Sequence, residues 1–90
     1  MAVQQVRVAK DVIYQRLQDE MVLLDLTSQR YFGLDDVGCA MWGLLLEHGD
    51  AEIVADRMCA EYDVDRSVAL VDIEALIGRL MELGLLVRGS

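Results

Sequence analysis

The stretch Arg30–His48, RYFGLDDVGCAMWGLLLEH, contains the change of period that decides the fold. Before Asp35 the side chains form a short run of β-forming types, Tyr31-Phe32-Gly33-Leu34, set off by the polar break Thr27-Ser28-Gln29. After it the chain is apolar almost all round as far as His48, which is too long for a strand and suits a helix buried on several sides. Asp35 stands where an N-cap is needed. Asp36 falls in the first turn, where a carboxylate meets the positive helix end.

Toward the N-terminus, Val12–Leu17 (VIYQRL) and Met21–Leu26 (MVLLDL) are two β-rich runs separated by Gln18-Asp19-Glu20, as in a hairpin. With the run ending at Leu34 they make a three-stranded antiparallel meander over about 12–34, and the alternating Val6-Arg7-Val8 reads as a short extension of it. Toward the C-terminus, Gly49 ends the first helix and Asp50 caps a second. In that helix Val54, Ala55, Met58, Cys59 and Tyr62 form a packing stripe, while Glu52, Asp56, Arg57 and Glu61 face away. A third helix runs from about Arg66 to Leu83 and is closed by Gly84. Leu85-Leu86-Val87 reads as a trailing apolar segment and Arg88-Gly89-Ser90 as a tail. The expected fold is α+β in a single domain over 1–90, with helices over about 36–83 following the strands.

The third helix has more apolar surface than one core face needs. Ala69, Leu70, Ile73, Leu76, Ile77, Leu80 and Leu83 fall within one broad arc. Asp72, Glu74, Arg79 and Glu82 lie outside it, but so do Val68, Val71, Ala75 and Gly78, a stripe of small side chains. A glycine in mid-helix costs about 1 kcal/mol relative to alanine, and Gly78 is explained if something must approach the backbone closely. The third strand ends the meander, and an edge strand exposes unpaired N–H and C=O groups. A groove between Arg30–Leu34 and the stripe would accept an extended peptide by strand addition.

Composition restricts the alternatives. The chain is 54% apolar and 27% charged, with no proline and one histidine. Few side chains remain for catalysis, and no enzyme is expected. Cys39 and His48 lie nine residues apart on one helix, separated by about 13 Å at ~1.5 Å per residue, with no third group to orient the histidine. Cys39 and Cys59 read as two buried free thiols, and with His48 they lack the paired spacing of a zinc site. No metal and no cofactor are expected. No run of about 18 apolar residues and no signal-like apolar core occur, so the expectation is a cytoplasmic protein with no membrane contact. The net charge of −8 is uneven: −1 over residues 1–35 and −7 over 36–90. In a helix-turn-helix reading, the third helix would offer Arg66 and Arg79 against Asp72, Glu74 and Glu82, which argues against nucleic acid. Trp42 reads as core, and the methionines beyond Met1, one per element, as core filling.

The segments MVLLDLTSQRYFGLDDVGCAMWGLL, DAEIVADRMCAEYDVD and VDIEALIGRLMELGLLV, in this order and spacing, resemble the PqqD-like family of peptide-recognition elements from ribosomal natural-product pathways. The likeness covers about Val12 to Val87. In length and in its LLDL…RYFGL form the chain looks most like the stand-alone leader-binding proteins of lasso-peptide biosynthesis. The resemblance implies a winged helix-turn-helix-like fold that binds a precursor's leader between the third strand and the third helix and presents it to a separate processing protease. By the same resemblance Tyr31, Phe32, Gly33 and Leu34 supply the strand, Val71, Ala75 and Gly78 the helix side, and Asp72, Glu74 and Arg79 the rim. Members of the family often have Asn at the place of Asp35; both residues cap a helix. The alternative is a structural or dimerisation subunit that buries the same edge and stripe against another chain, since an open edge allows a homodimer.

Overall fold

The computed structural model describes residues 5–18 and 20–89. Met1, Asp19 of the expected hairpin turn and Ser90 of the expected tail lie outside them. The elements are β1 (Val6–Val8), β2 (Val12–Leu17), β3 (Glu20–Asp25), β4 (Tyr31–Leu34), α1 (Asp36–His48), α2 (Ala51–Tyr62), α3 (Arg66–Glu82) and β5 (Leu86–Arg88). The fold is α+β, with the three-stranded antiparallel sheet β2-β3-β4 followed by three helices.

Turn chemistry sets the registers. Leu17 pairs with Glu20, which leaves two residues for the first hairpin loop, and Gln18 takes the positive φ (49°) that such a loop favours. In the second turn the Asp25 carboxylate accepts from the Thr27 and Ser28 amides, while the Asp25 amide donates to the Arg30 carbonyl. The Thr27 amide, more than any other contact, holds the Asp25 carboxyl below its ordinary pKa. These registers put Tyr14, Leu23 and Phe32 in one row and Met21 and Leu34 in the next. Alternation turns that face inward, where Leu23 and Leu34 are buried.

The helix ends follow the sequence. Asp35 accepts from the Gly38 amide and Asp50 from the Glu52 amide, each at 2.8 Å. Gly49 and Gly84 take positive φ at the ends of α1 and α3. The core gathers Leu23, Leu34, Trp42, Leu45, Val54, Met58, Ile73, Leu80 and Leu85. Trp42 is fully buried at its centre, and the Tyr14 ring stands nearly perpendicular to it with ring centroids 5.5 Å apart.

Six expectations are corrected. Val6–Val8 does not extend the meander, and the segment after Gly84 is not a loose trailing run: β1 and β5 pair antiparallel as a separate two-stranded sheet. The start of the expected tail is likewise tied down, Arg88 as the end of β5 and Gly89 by its amide donating to the Gln5 carbonyl. Chain ends this apolar, with Val6, Leu85 and Leu86 all buried, gain more from each other and the core than from solvent. Helix α1 buries Cys39, Met41, Trp42 and Leu45 but leaves Val37 and Leu46 exposed, so it is covered on one broad side only. Cys39 is buried and Cys59 exposed. Tyr62, in the last turn of α2, is also exposed. The stripe of α2 therefore packs only from Val54 to Met58, because the helix runs past the edge of the core.

Replacing Ile73 or Leu23 by Ala removes a fully buried side chain from the centre of this core. The expected cost is about 2–5 kcal/mol, read as a lower urea midpoint with unchanged slope, whereas Val37→Ala on the exposed side of α1 should cost well under half of that.

Candidate functional site

Strand β4 is the last strand of its sheet, and its outer edge has no partner among the described residues. Of the other strands among the described residues, β1 is already committed to β5. The edge is short, four residues, and held firmly: its inner side is paired to β3 in register, and Leu34 is buried beneath it, with its carbonyl taking the Cys39 thiol.

The four strand residues named from the sequence divide by alternation. Tyr31 (72% exposed) and Gly33 stand on the outer face, while Phe32 and Leu34 face the core. What the strand offers a partner is therefore backbone along its edge, with Tyr31 as the accessible side chain. Gly33 has nothing within 4 Å of where a Cβ would stand, so the edge is open there.

On α3 the expected core face is present, with Ala69, Ile73 and Leu80 buried and Leu70, Leu76, Ile77 and Leu83 packed against them. The stripe is exposed: Val68 at 51%, Val71 at 65%, and Ala75 and Gly78 uncovered. Asp72, Glu74 and Arg79 are exposed too. An open hollow of about 260 Å³ is lined by Ser67, Val68, Val71 and Asp72. Ser67 escaped the sequence reading because a serine in the first helical turn looks like part of the helix start. Gly78 has nothing within 4 Å of a built Cβ, so no internal packing requires it to be glycine. Strand β4 packs against β3 and α1, and α3 against α2 and β5, so the two surfaces are carried by different neighbours.

The charges on α2 and α3 are arranged for structure at one end and left open at the other. Arg66, in the first turn of α3, donates to Asp56 and to Glu52 of α2. These two carboxylates, Asp56 first, raise its pKa far above the ordinary arginine value and so keep it charged. A cation at a helix N-terminus is unfavourable, and the two acids offset that while tying α2 to α3. Arg66 is thereby occupied, leaving Arg79 as the remaining basic side chain of α3, on a helix that also carries Asp72, Glu74 and Glu82. Among the described residues no cluster of His, Cys, Asp and Glu is suited to holding a metal ion, and no helix is long and apolar enough to cross a membrane.

This is an α+β fold that presents an open strand edge and an exposed apolar helix surface. The family described as Coenzyme PQQ synthesis protein D (PqqD) matches residues 20–86, and the chain belongs to the PqqD family. Among solved structures it is similar to TbiB1 in complex with the TbiA(beta) leader peptide, at 39% identity and a TM-score of 0.81 over 89% of this chain and 93% of that one. It is also similar to a lasso peptide synthetase B1 complexed with the leader peptide, at 31% identity and a TM-score of 0.84 over 92% of this chain and 98% of that one. No curated protein matches.

Because the space over Gly78 is open, Gly78→Ala should stabilise the free protein by about 0.5–1 kcal/mol through helix propensity alone. A higher thermal midpoint would bear this out; a lower one would mean that the glycine is needed for the fold itself.

Proposed function

We propose that the protein is a non-catalytic recognition element that holds the leader segment of a ribosomally made precursor peptide and presents it to a separate processing enzyme such as a leader protease. The observation that carries this reading is the unpaired edge of β4. The leader adds to it as a further antiparallel or parallel strand, taking its affinity from backbone pairing. Its apolar side chains on one side turn toward the stripe of α3, where Val68 and Val71 border the hollow and Ala75 and Gly78 let the peptide backbone approach. Tyr31, Phe32, Gly33 and Leu34 form the strand side, Val71, Ala75 and Gly78 the helix side, and Asp72, Glu74 and Arg79 the rim. Likeness to two proteins solved with leader peptides supports the same reading.

Nothing in this role requires bond-making by the protein. Binding keeps the precursor at high effective concentration beside the enzyme, so that a weakly recognised cleavage site is cut efficiently. The net charge of −7 on residues 36–90 favours a leader bearing Lys or Arg near its apolar anchors and speeds encounter at low salt. The precursor class favoured by the likeness is that of lasso peptides. The cytoplasm, where precursors are made, is the compartment this role implies.

The test is a titration of fluorescently labelled leader, taken from the precursor encoded with this chain, against wild type and Gly78→Leu. Wild type should bind and Gly78→Leu should lose at least about tenfold in affinity, since a bulky side chain fills the approach to the helix. Among the described residues strand β2 has a free edge as well, and a leader held there would be blind to position 78, so equal binding by both proteins would overturn the β4 assignment. The association rate should fall as salt rises from about 50 to 500 mM; a rate indifferent to salt would remove electrostatic steering from the account.

A further inference from the structure

The meander has a second surface, on the face away from the core. In an antiparallel sheet with one solvated face the outward positions are normally polar. Here they are Ile13, Gln15 and Leu17 on β2, Glu20, Val22 and Leu24 on β3, and Tyr31 and Gly33 on β4. Ile13, Leu24 and Tyr31 stand opposite one another and make one apolar ladder across all three strands. Ile13 is 50% exposed and Leu17 48%. The residues that β2–β4 contribute to the core, Val12, Met21, Leu23, Phe32 and Leu34, all belong to the other face, so the ladder owes nothing to internal packing. In the adjacent row the bare Gly33 beside Val22 leaves a dip next to Tyr31.

We propose that this outer face is the docking surface for the processing enzyme, and that it receives an apolar surface of that enzyme. The inference rests on the leader-binding reading above. Area, charge and continuity select this occupant over a second copy of the chain. Three strands at ~4.8 Å spacing and six residues at ~3.3 Å cover roughly 300 Å², well short of the ~800 Å² per partner of a stable interface. Two copies, each of net charge −8, repel one another, so a face this small does not hold them together. The ladder also ends on Tyr31 of β4, the strand whose edge is free. An enzyme on the outer face therefore lies beside the strand that holds the leader. A precursor held on β4 at one end and in the enzyme's active site at the other bridges the two proteins, and that bridge makes a weak contact sufficient.

The test uses the purified processing enzyme encoded with this chain, its precursor, and the variants Ile13→Glu and Leu17→Glu, both on β2 and away from β4. Leader affinity should stay within about twofold of wild type, while kcat/KM for leader removal falls by about tenfold or more and kcat recovers as the recognition protein is raised. Wild-type cleavage with both variants would overturn the proposal. So would a loss of leader binding in folded variants, since the two surfaces would then be one. If Ile13→Glu fails to fold by circular dichroism, Leu17→Glu carries the comparison. Sedimentation of wild type alone covers the remaining case: a dimer abolished by these variants, with cleavage unchanged, would give the face to a second copy. Failure of wild type to bind leader at all would fall on the function proposed above, and the cleavage comparison would still show whether the outer face serves the enzyme.

Discussion

Val6 lies opposite Arg88, Arg7 opposite Val87 and Val8 opposite Leu86, and this short antiparallel pairing of the chain's two ends governs what the rest of the molecule can present. It is anchored on both sides, by the Val6 amide donating to the Gly49 carbonyl at the end of α1 and by the Ala9 amide donating to the Leu85 carbonyl after α3. Were β1 free, the natural place for an alternating N-terminal strand would be the open edge of the meander. Because β5 holds it, β4 keeps an unpaired row of backbone donors and acceptors. Such a row is a hazard that proteins usually blunt with lysine, proline, a bulge or a covering element. Here the strand is short but, among the described residues, otherwise unprotected, which fits a strand kept for a partner.

Charge explains how a chain of 90 residues sustains two apolar surfaces outside its core. Small domains bury a modest fraction of their surface, and exposed apolar area lowers solubility. The high negative charge offsets this, since a net −8 keeps copies apart. Apolar residues are thus spent on the β2–β4 outer face and the α3 stripe, while the acids that keep the protein soluble also attract basic partners. A polypeptide with little besides apolar and charged side chains is suited to holding and docking.

Much of this was legible in the sequence because the local signals agree with one another. Asp35, Gly49, Asp50 and Gly84 mark helix ends by capping chemistry, and each does so in the structure. The core face of α3 and its exposed stripe follow from a 3.6-residue period. What was not legible depends on contacts between distant segments. Three-residue runs such as Val6–Val8 and Leu86–Arg88 carry too little pattern to show which strand they join, and only their meeting reveals a second sheet. Cys59 and Tyr62 have the spacing of core residues, yet α2 extends beyond the core, a fact of tertiary packing that periodicity does not contain. The outer face of the meander was present in VIYQRL all along: Ile13, Gln15 and Leu17 share a face, but only the register that brings Leu24 and Tyr31 beside Ile13 turns separate apolar residues into a surface.

In the function proposed here, the edge of β4 receives the leader as an added strand. Amide hydrogen exchange by NMR, with and without saturating leader peptide, tests it most directly. The outward amides of β4 within Tyr31–Leu34 should pass from fast exchange to strong protection on binding, with smaller changes along Val68–Gly78 of α3. Protection that appears instead along Val12–Leu17 of β2, with β4 amides still exchanging as in the free protein, would contradict the account.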